Sequence, residues 1–189
     1  MCKNETVILT RVKEYIIKTC NITLEEYSNS INKYLIHTLR NLRYSNSQLL
    51  KLRLKRKHLK EDIEDLECSM VGGENLSPSE EGRNTGGKKN PPDFKMIQKL
   101  TLKEELGKLV NETLLLEKSL LDNNVLVQDF IKLLPNQNHQ LVLELTYIEC
   151  LPNREIEKML FYSKEYLDII RNRAIKKLSS LLQLLQNDK

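Results

Sequence analysis

A seven-residue apolar period runs through much of this chain and leaves few folds open to it. Steps of four and three from Ile31 give Leu35, Thr38, Leu42, Ser45, Leu49, Leu52, Arg56, Leu59, Ile63 and Leu66. Eight of these eleven positions are apolar. A second frame runs through Leu102, Leu106, Leu109, Thr113, Leu116, Leu120, Asn123, Val127, Phe130 and Leu134, with eight of ten apolar. A repeat of about 3.5 residues keeps one apolar stripe on one side of a helix, so both stretches predict long coiled-coil-like helices. Thr38, Ser45 and Arg56 are the weak layers of the first. Asn123 is either a buried polar residue that sets register or the point where the frame breaks, at Asp122-Asn123-Asn124.

Between the two frames lies SMVGGENLSPSEEGRNTGGKKNPPD, residues 69–93, which holds five of the six glycines and has no apolar period. Such a stretch buries too little apolar surface to offset its ordering entropy and is expected to be a flexible linker. Asp93, after two prolines, is the expected N-cap of the second long helix, and Pro135 closes it. Two heptad helices joined in this way form either an antiparallel hairpin or an intermolecular coiled coil. Ahead of them, a short helix is expected over Glu5 to Cys20, followed by Thr23 and Glu26 at capping-box spacing. The expected organisation is an N-terminal helical arm over 1–68, a linker over 69–93, a second heptad helix over 94–134 and a C-terminal module over 136–189. The fold class is all-α.

Charge is unevenly spread. Residues 1–60 carry 13 Lys/Arg against 4 acids, residues 61–138 carry 9 against 15, and residues 139–189 carry 8 against 7. A basic N-terminal part suits nucleic acid or an acidic partner, although a solvated helix face gives the same composition. Cys2, Cys20, Cys68 and Cys150 are far apart, as are His37, His58 and His139, so neither a metal cluster nor a disulfide framework is expected. The opening MCKNETVILTRVKEY lacks an apolar run long enough for a signal peptide, and no later stretch approaches a membrane span. Reduced thiols and a cytoplasmic location are therefore expected. No nucleophile elbow, phosphate loop or dinucleotide fingerprint is present, and the Gly-Gly pairs at 72–73 and 86–87 sit in the linker. The expectation is a protein that is not an enzyme and needs no cofactor.

The C-terminal module has three helical patterns. HQLVLELTYIE, His139 to Glu149, sets Leu141, Leu145 and Ile148 on one face. After Cys150-Leu151-Pro152-Asn153, with Asn153 a possible cap, Arg154 to Leu160 buries Ile156 and Leu160. Phe161-Tyr162-Ser163 makes a second turn, with Ser163 a good N-cap. A last helix from Lys164 to about Leu185 buries Leu167, Ile170, Ala174, Leu178 and Leu181. A seven-residue helix, a three-residue turn and a longer helix fit helix-turn-helix geometry.

With Tyr147-Ile148, Glu155-Ile156, Tyr162-Ser163 and Arg173-Ala174 in register, residues Leu141 to Leu178 resemble the region-four DNA-binding domain of sigma factors. They resemble still more the phage and mobile-element transcriptional regulators of the ArpU and RinA type. Ala174 is the chain's only alanine and falls in that family's Arg-Ala pair. The family usually has a small residue where Glu157 stands, so Glu157 must tilt to solvent or find a basic partner. It usually has glycine where Phe161 stands, because that turn residue takes a positive φ. The resemblance implies that Ser163, Lys164, Glu165, Asp168, Ile169 and Asn172 face the DNA groove. Arg154, Arg171, Arg173, Lys176 and Lys177 are then placed to reach phosphates, while the plainer reading of Arg171 to Lys177 is a solvated helix face. The implied function is a sequence-specific transcriptional regulator acting on double-stranded DNA. Its heptad arms would make a homo-oligomer or engage RNA polymerase, with no membrane partner. The alternatives are a coiled-coil adaptor with a degenerate helix-turn-helix, or a phage packaging component.

Overall fold

The computed structural model describes residues 3–71 and 92–187, so most of the expected linker lies outside the described residues. Seven α-helices and one π-helical segment account for nearly all of the rest, and the described residues contain no strand. The fold is all-α. Two compact units are present: residues 1–48 with 117–189, and residues 49–116. The C-terminal module thus shares a unit with the first helices of the chain.

In the first unit, α1 (Lys3–Cys20) ends in a left-handed Asn21, φ 50°, with the Ile22 N–H returning to the Ile17 carbonyl. This wrapped end suits asparagine, which tolerates that conformation better than most residues. α2 (Leu24–Asn29) starts on the expected capping box. The Thr23 N–H donates to Glu26 Oε2 at 2.8 Å, and the Glu26 N–H donates to Thr23 Oγ1 at 3.3 Å. The Thr23 backbone N–H, followed by its hydroxyl, holds the Glu26 carboxyl below its ordinary value. α3 (Ile31–Val71) and α4 (Pro92–Lys132) are the two heptad helices and contribute to both units.

α4 begins at Pro92, a residue favoured in the first helical position, so Asp93 lies within the helix and not at its cap. The helix stops at Lys132, before the segment preceding Pro135. Leu133 and Leu134 continue in a tighter turn, bonded to the Phe130 and Ile131 carbonyls. Leu134 is nonetheless buried.

In the second unit the helices run antiparallel within one chain. Lys55 pairs with Glu105 at 2.9 Å, while Glu67 takes Lys99 at 2.9 Å and Lys103 at 3.1 Å. Ascending positions on one helix therefore meet descending positions on the other. The two lysines hold the Glu67 carboxyl below its ordinary value, Lys99 foremost. Leu49, Leu59, Ile63, Leu109 and Thr113 are buried, and the intervening heptad positions are half-buried. Of the two arrangements open to the sequence, the chain adopts the hairpin.

The first unit buries more than a two-helix seam needs. Leu39 is buried outside the α3 frame, and Leu126 and Ile131 are buried beside Val127 and Phe130 on α4. A helix that packs on several neighbours needs a broader apolar stripe than one with a single partner. This broadening decides the polar layer. Asn123 bonds only locally, to the Ser119 carbonyl, while Asn124 exchanges two amide hydrogen bonds with Asn46, at 2.9 and 3.0 Å. The register-setting residue is the neighbour of the expected one.

α5 (Gln137–Leu143) is capped by Asn136, whose side chain accepts from the Asn138 and His139 N–H groups. It then widens into a π-helical turn, Glu144–Ile148, closed by the Glu149 N–H on the Glu144 carbonyl. This corrects the expected face. Leu141 is 41% exposed, while Val142, Leu143 and Leu145 are buried. The buried face is His139, Val142 and Leu143, continued by Thr146 and Tyr147 in the π-turn, and Leu141 lies on the opposite side of α5. α5 and α1 both pack on the last helix.

Candidate nucleic-acid interface

α6 (Asn153–Leu160), a turn of three residues and α7 (Lys164–Asn187) carry every residue that the sequence marks for DNA contact. Both helices are held by one apolar cluster. Ile156 of α6 and Leu167 and Ile170 of α7 pack with Val142 and Leu145, and Leu151, Leu160 and Tyr162 lean on the same core. α6 starts one residue earlier than expected, on Pro152, whose ring leaves it without a capping side chain. Asn153 is instead a tether: its Oδ1 accepts from Arg171 Nη2 at 3.0 Å.

The turn takes the left-handed shape expected of it, on a phenylalanine and not a glycine. Phe161 has φ 55° and ψ 39°, and both its own N–H and that of Tyr162 return to the Glu157 carbonyl. This is a left-handed helix end of the kind that glycine fills without strain. The Phe161 ring is 93% exposed, so packing does not offset the backbone cost. Phe161→Gly is expected to stabilise the protein by about 1 kcal/mol. The change should appear as a higher denaturant midpoint at unchanged slope. An equal or lower midpoint would show that the ring has a stabilising role which the strain does not cancel. Glu157 is half-buried and so keeps access to water, the first of the two outcomes expected for it.

α7 opens on Ser163, whose Oγ accepts from the Tyr166 N–H at 3.2 Å. Its hydroxyl also serves the Glu165 carboxylate, which is held below its ordinary value by its own backbone N–H first and by Ser163 next. A carboxylate at a helix N-terminus is well placed electrostatically. It also occupies the donors that a DNA phosphate would use, so Ser163 is already engaged. Tyr162 and Tyr166 flank this start, edge to face with ring centres 4.9 Å apart.

The expected groove and phosphate residues separate into two sets. Glu165, Ile169, Asn172, Arg173 and Lys176 recur at steps of three or four and are exposed, as are Lys164, Lys177 and Ser163. Arg154 is exposed on α6. Asp168 and Arg171 turn aside. Arg171 Nη1 meets Asp168 Oδ1 at 2.8 Å, its other terminal nitrogen holds Asn153, and only 16% of its side chain is accessible. In this arrangement Arg171 braces α7 against α6 and does not point at solvent.

On that side α7 faces the first part of α3 across a cavity of about 310 Å³. Arg40 and Arg43 line it from α3, Arg171 and Asn172 from α7, and Thr146 and Tyr147 from the π-turn. Burial pushes the Tyr147 phenol up, and the charges of Arg171, Arg40 and Arg43 pull it partly back. Local sequence reading misses Arg40 and Arg43, because nothing but their spacing on a basic helix distinguishes them. Only contacts made across more than a hundred positions bring them to α7, such as Arg43 Nη2 on the Leu151 carbonyl at 3.2 Å.

The chain matches no family model, and no curated protein or solved structure is significantly similar to it.

Proposed function

We propose that this chain is a sequence-specific DNA-binding transcriptional regulator of phage or mobile-element type, which uses α6 and α7 as a helix-turn-helix. One observation carries the reading. The strip of Ile169, Asn172, Arg173 and Lys176 is exposed on α7, the helix that follows a tight turn and is anchored from behind by an apolar core. Asn172, with Lys164 at the helix start, suits adenine and guanine edges, Ile169 suits a thymine methyl, and Arg173 and Lys176 suit phosphates. A reader of this kind works in the cytoplasm, with RNA polymerase as a further partner for the helical arms. A second copy would strengthen binding, since one small module makes few phosphate contacts. The antiparallel seam of the hairpin is filled within the chain. A second copy would therefore join through other side chains, such as the exposed Leu114 and Leu115.

The test is enrichment of bound duplexes from a random pool, followed by salt-dependent affinity for the enriched sequence. Arg173→Ala with Lys176→Ala is expected to lower affinity about tenfold to a hundredfold and to reduce the salt slope by about 2. Both side chains are exposed, so helicity should be unchanged. Equal affinity in the double variant removes α7 as the reader. A second reading, a helical adaptor that docks on protein, is favoured by Glu165 at the start of α7 and by the withdrawal of Arg171. No enriched duplex, together with retained partner binding, would support it.

A further inference from the structure

The cavity between α3 and α7 is chemically unlike the rest of the first unit. Its lining includes three guanidinium groups, Arg40, Arg43 and Arg171, against one carboxylate, Asp168, which Arg171 already holds. The lining therefore carries a net charge of +2. Its floor is dry: Thr146, Tyr147 and Ile175 are 1%, 5% and 4% exposed. Two polar atoms there have no hydrogen-bond partner, Thr146 Oγ1 and Arg171 Nε. Buried donors are seldom left unsatisfied, and both of these can donate to an oxyanion. The π-turn is what places Thr146 and Tyr147 here, and such turns recur at functional sites.

We propose that this cavity binds a small phosphorylated anion, with Arg40 and Arg43 on α3 and Arg171 on α7 as its clamp. Guanidinium groups match phosphate oxygens with paired donors. A phosphomonoester carries close to −2 near neutral pH, which matches the charge of the lining better than a carboxylate does. The volume lies at the lower end of small-ligand pockets, so it admits a phosphate with a modest organic body. A DNA backbone phosphate offers the same oxygens but carries a single charge, and it would have to reach a recessed floor. The site adjoins the exposed α7 strip at Asn172, which lines both, but Arg40 and Arg43 belong to no proposed DNA contact.

The full chain is titrated calorimetrically with inorganic phosphate, with adenosine monophosphate and with a short duplex, against sodium chloride at matched ionic strength. Saturable binding of phosphate or of the nucleotide is expected, weakened about tenfold or more by Arg40→Gln and by Arg43→Gln. Thr146→Val keeps the shape of the floor, so it tests the orphaned hydroxyl if an arginine variant folds poorly. It too should weaken binding. Heats no larger than those of matched chloride would overturn the proposal. So would duplex binding that depends on Arg40 when neither free phosphate nor the nucleotide binds, since the cavity would then serve the DNA backbone.

Discussion

Ile156→Ala is expected to destabilise the first unit by about 2–5 kcal/mol. Ile156 is completely buried and is the α6 member of the cluster formed with Val142, Leu145, Leu167 and Ile170. Truncation loses buried apolar contact and leaves a cavity that the packed cluster cannot close by a small shift. α6 is eight residues long, too short to hold its helix without this packing. The loss should therefore appear as local melting of α6, seen as faster amide exchange there, as well as a lower denaturant midpoint. Met159→Ala is the control. Met159 is 57% exposed on the same helix, and its truncation should change stability by less than about 0.5 kcal/mol. Similar effects in the two variants would mean that the cluster does not anchor α6.

Asn46→Leu is expected to cost about 1–3 kcal/mol, because it strands groups that have no other partner of equal quality. Asn46 is buried, exchanges two hydrogen bonds with Asn124, and also donates to the Tyr147 carbonyl at 3.3 Å. The leucine would leave the Asn124 amide and that carbonyl facing an apolar side chain. Asn46→Leu with Asn124→Leu should recover much of the loss, since replacing both partners by apolar groups avoids the stranded amide. Recovery should be incomplete because the Tyr147 carbonyl still lacks its donor. A double-mutant cycle from denaturant midpoints gives the coupling directly, and additive losses would show that the two amides act independently.

The two long helices were legible because their cause is local. A heptad stripe needs nothing beyond its own spacing, and in the hairpin unit the stripe read from the sequence is the stripe that is buried. The capping box at Thr23 and Glu26 was legible for the same reason, since it depends on a handful of neighbouring residues. The positive φ at Phe161 was expected only from the resemblance, because local sterics disfavour it for phenylalanine. Reading failed wherever tertiary packing chose which apolar stripe to bury. Leu141 is exposed because α5 buries His139, Val142 and Leu143, which lie on its opposite side. Asn124 replaces Asn123 because α4 buries a broader stripe in the first unit than a two-helix seam would require.

The candidate interface divides along the same line. Ser163 as a cap and the strip of Ile169, Asn172, Arg173 and Lys176 follow from position along one helix. The withdrawal of Arg171 does not. A guanidinium on a solvated helix and one that braces Asn153 and Asp168 have the same sequence spacing, and only the placement of α6 separates them. The sequence by itself determined the helical class, the antiparallel-capable seams and the capping box at Thr23, because short-range sterics and periodicity decide these. The tertiary structure alone decided which side of α7 stays open. It also decided that Arg40 and Arg43 meet Arg171, because bringing like charges together across a dry floor requires the packing of the entire unit to hold them there.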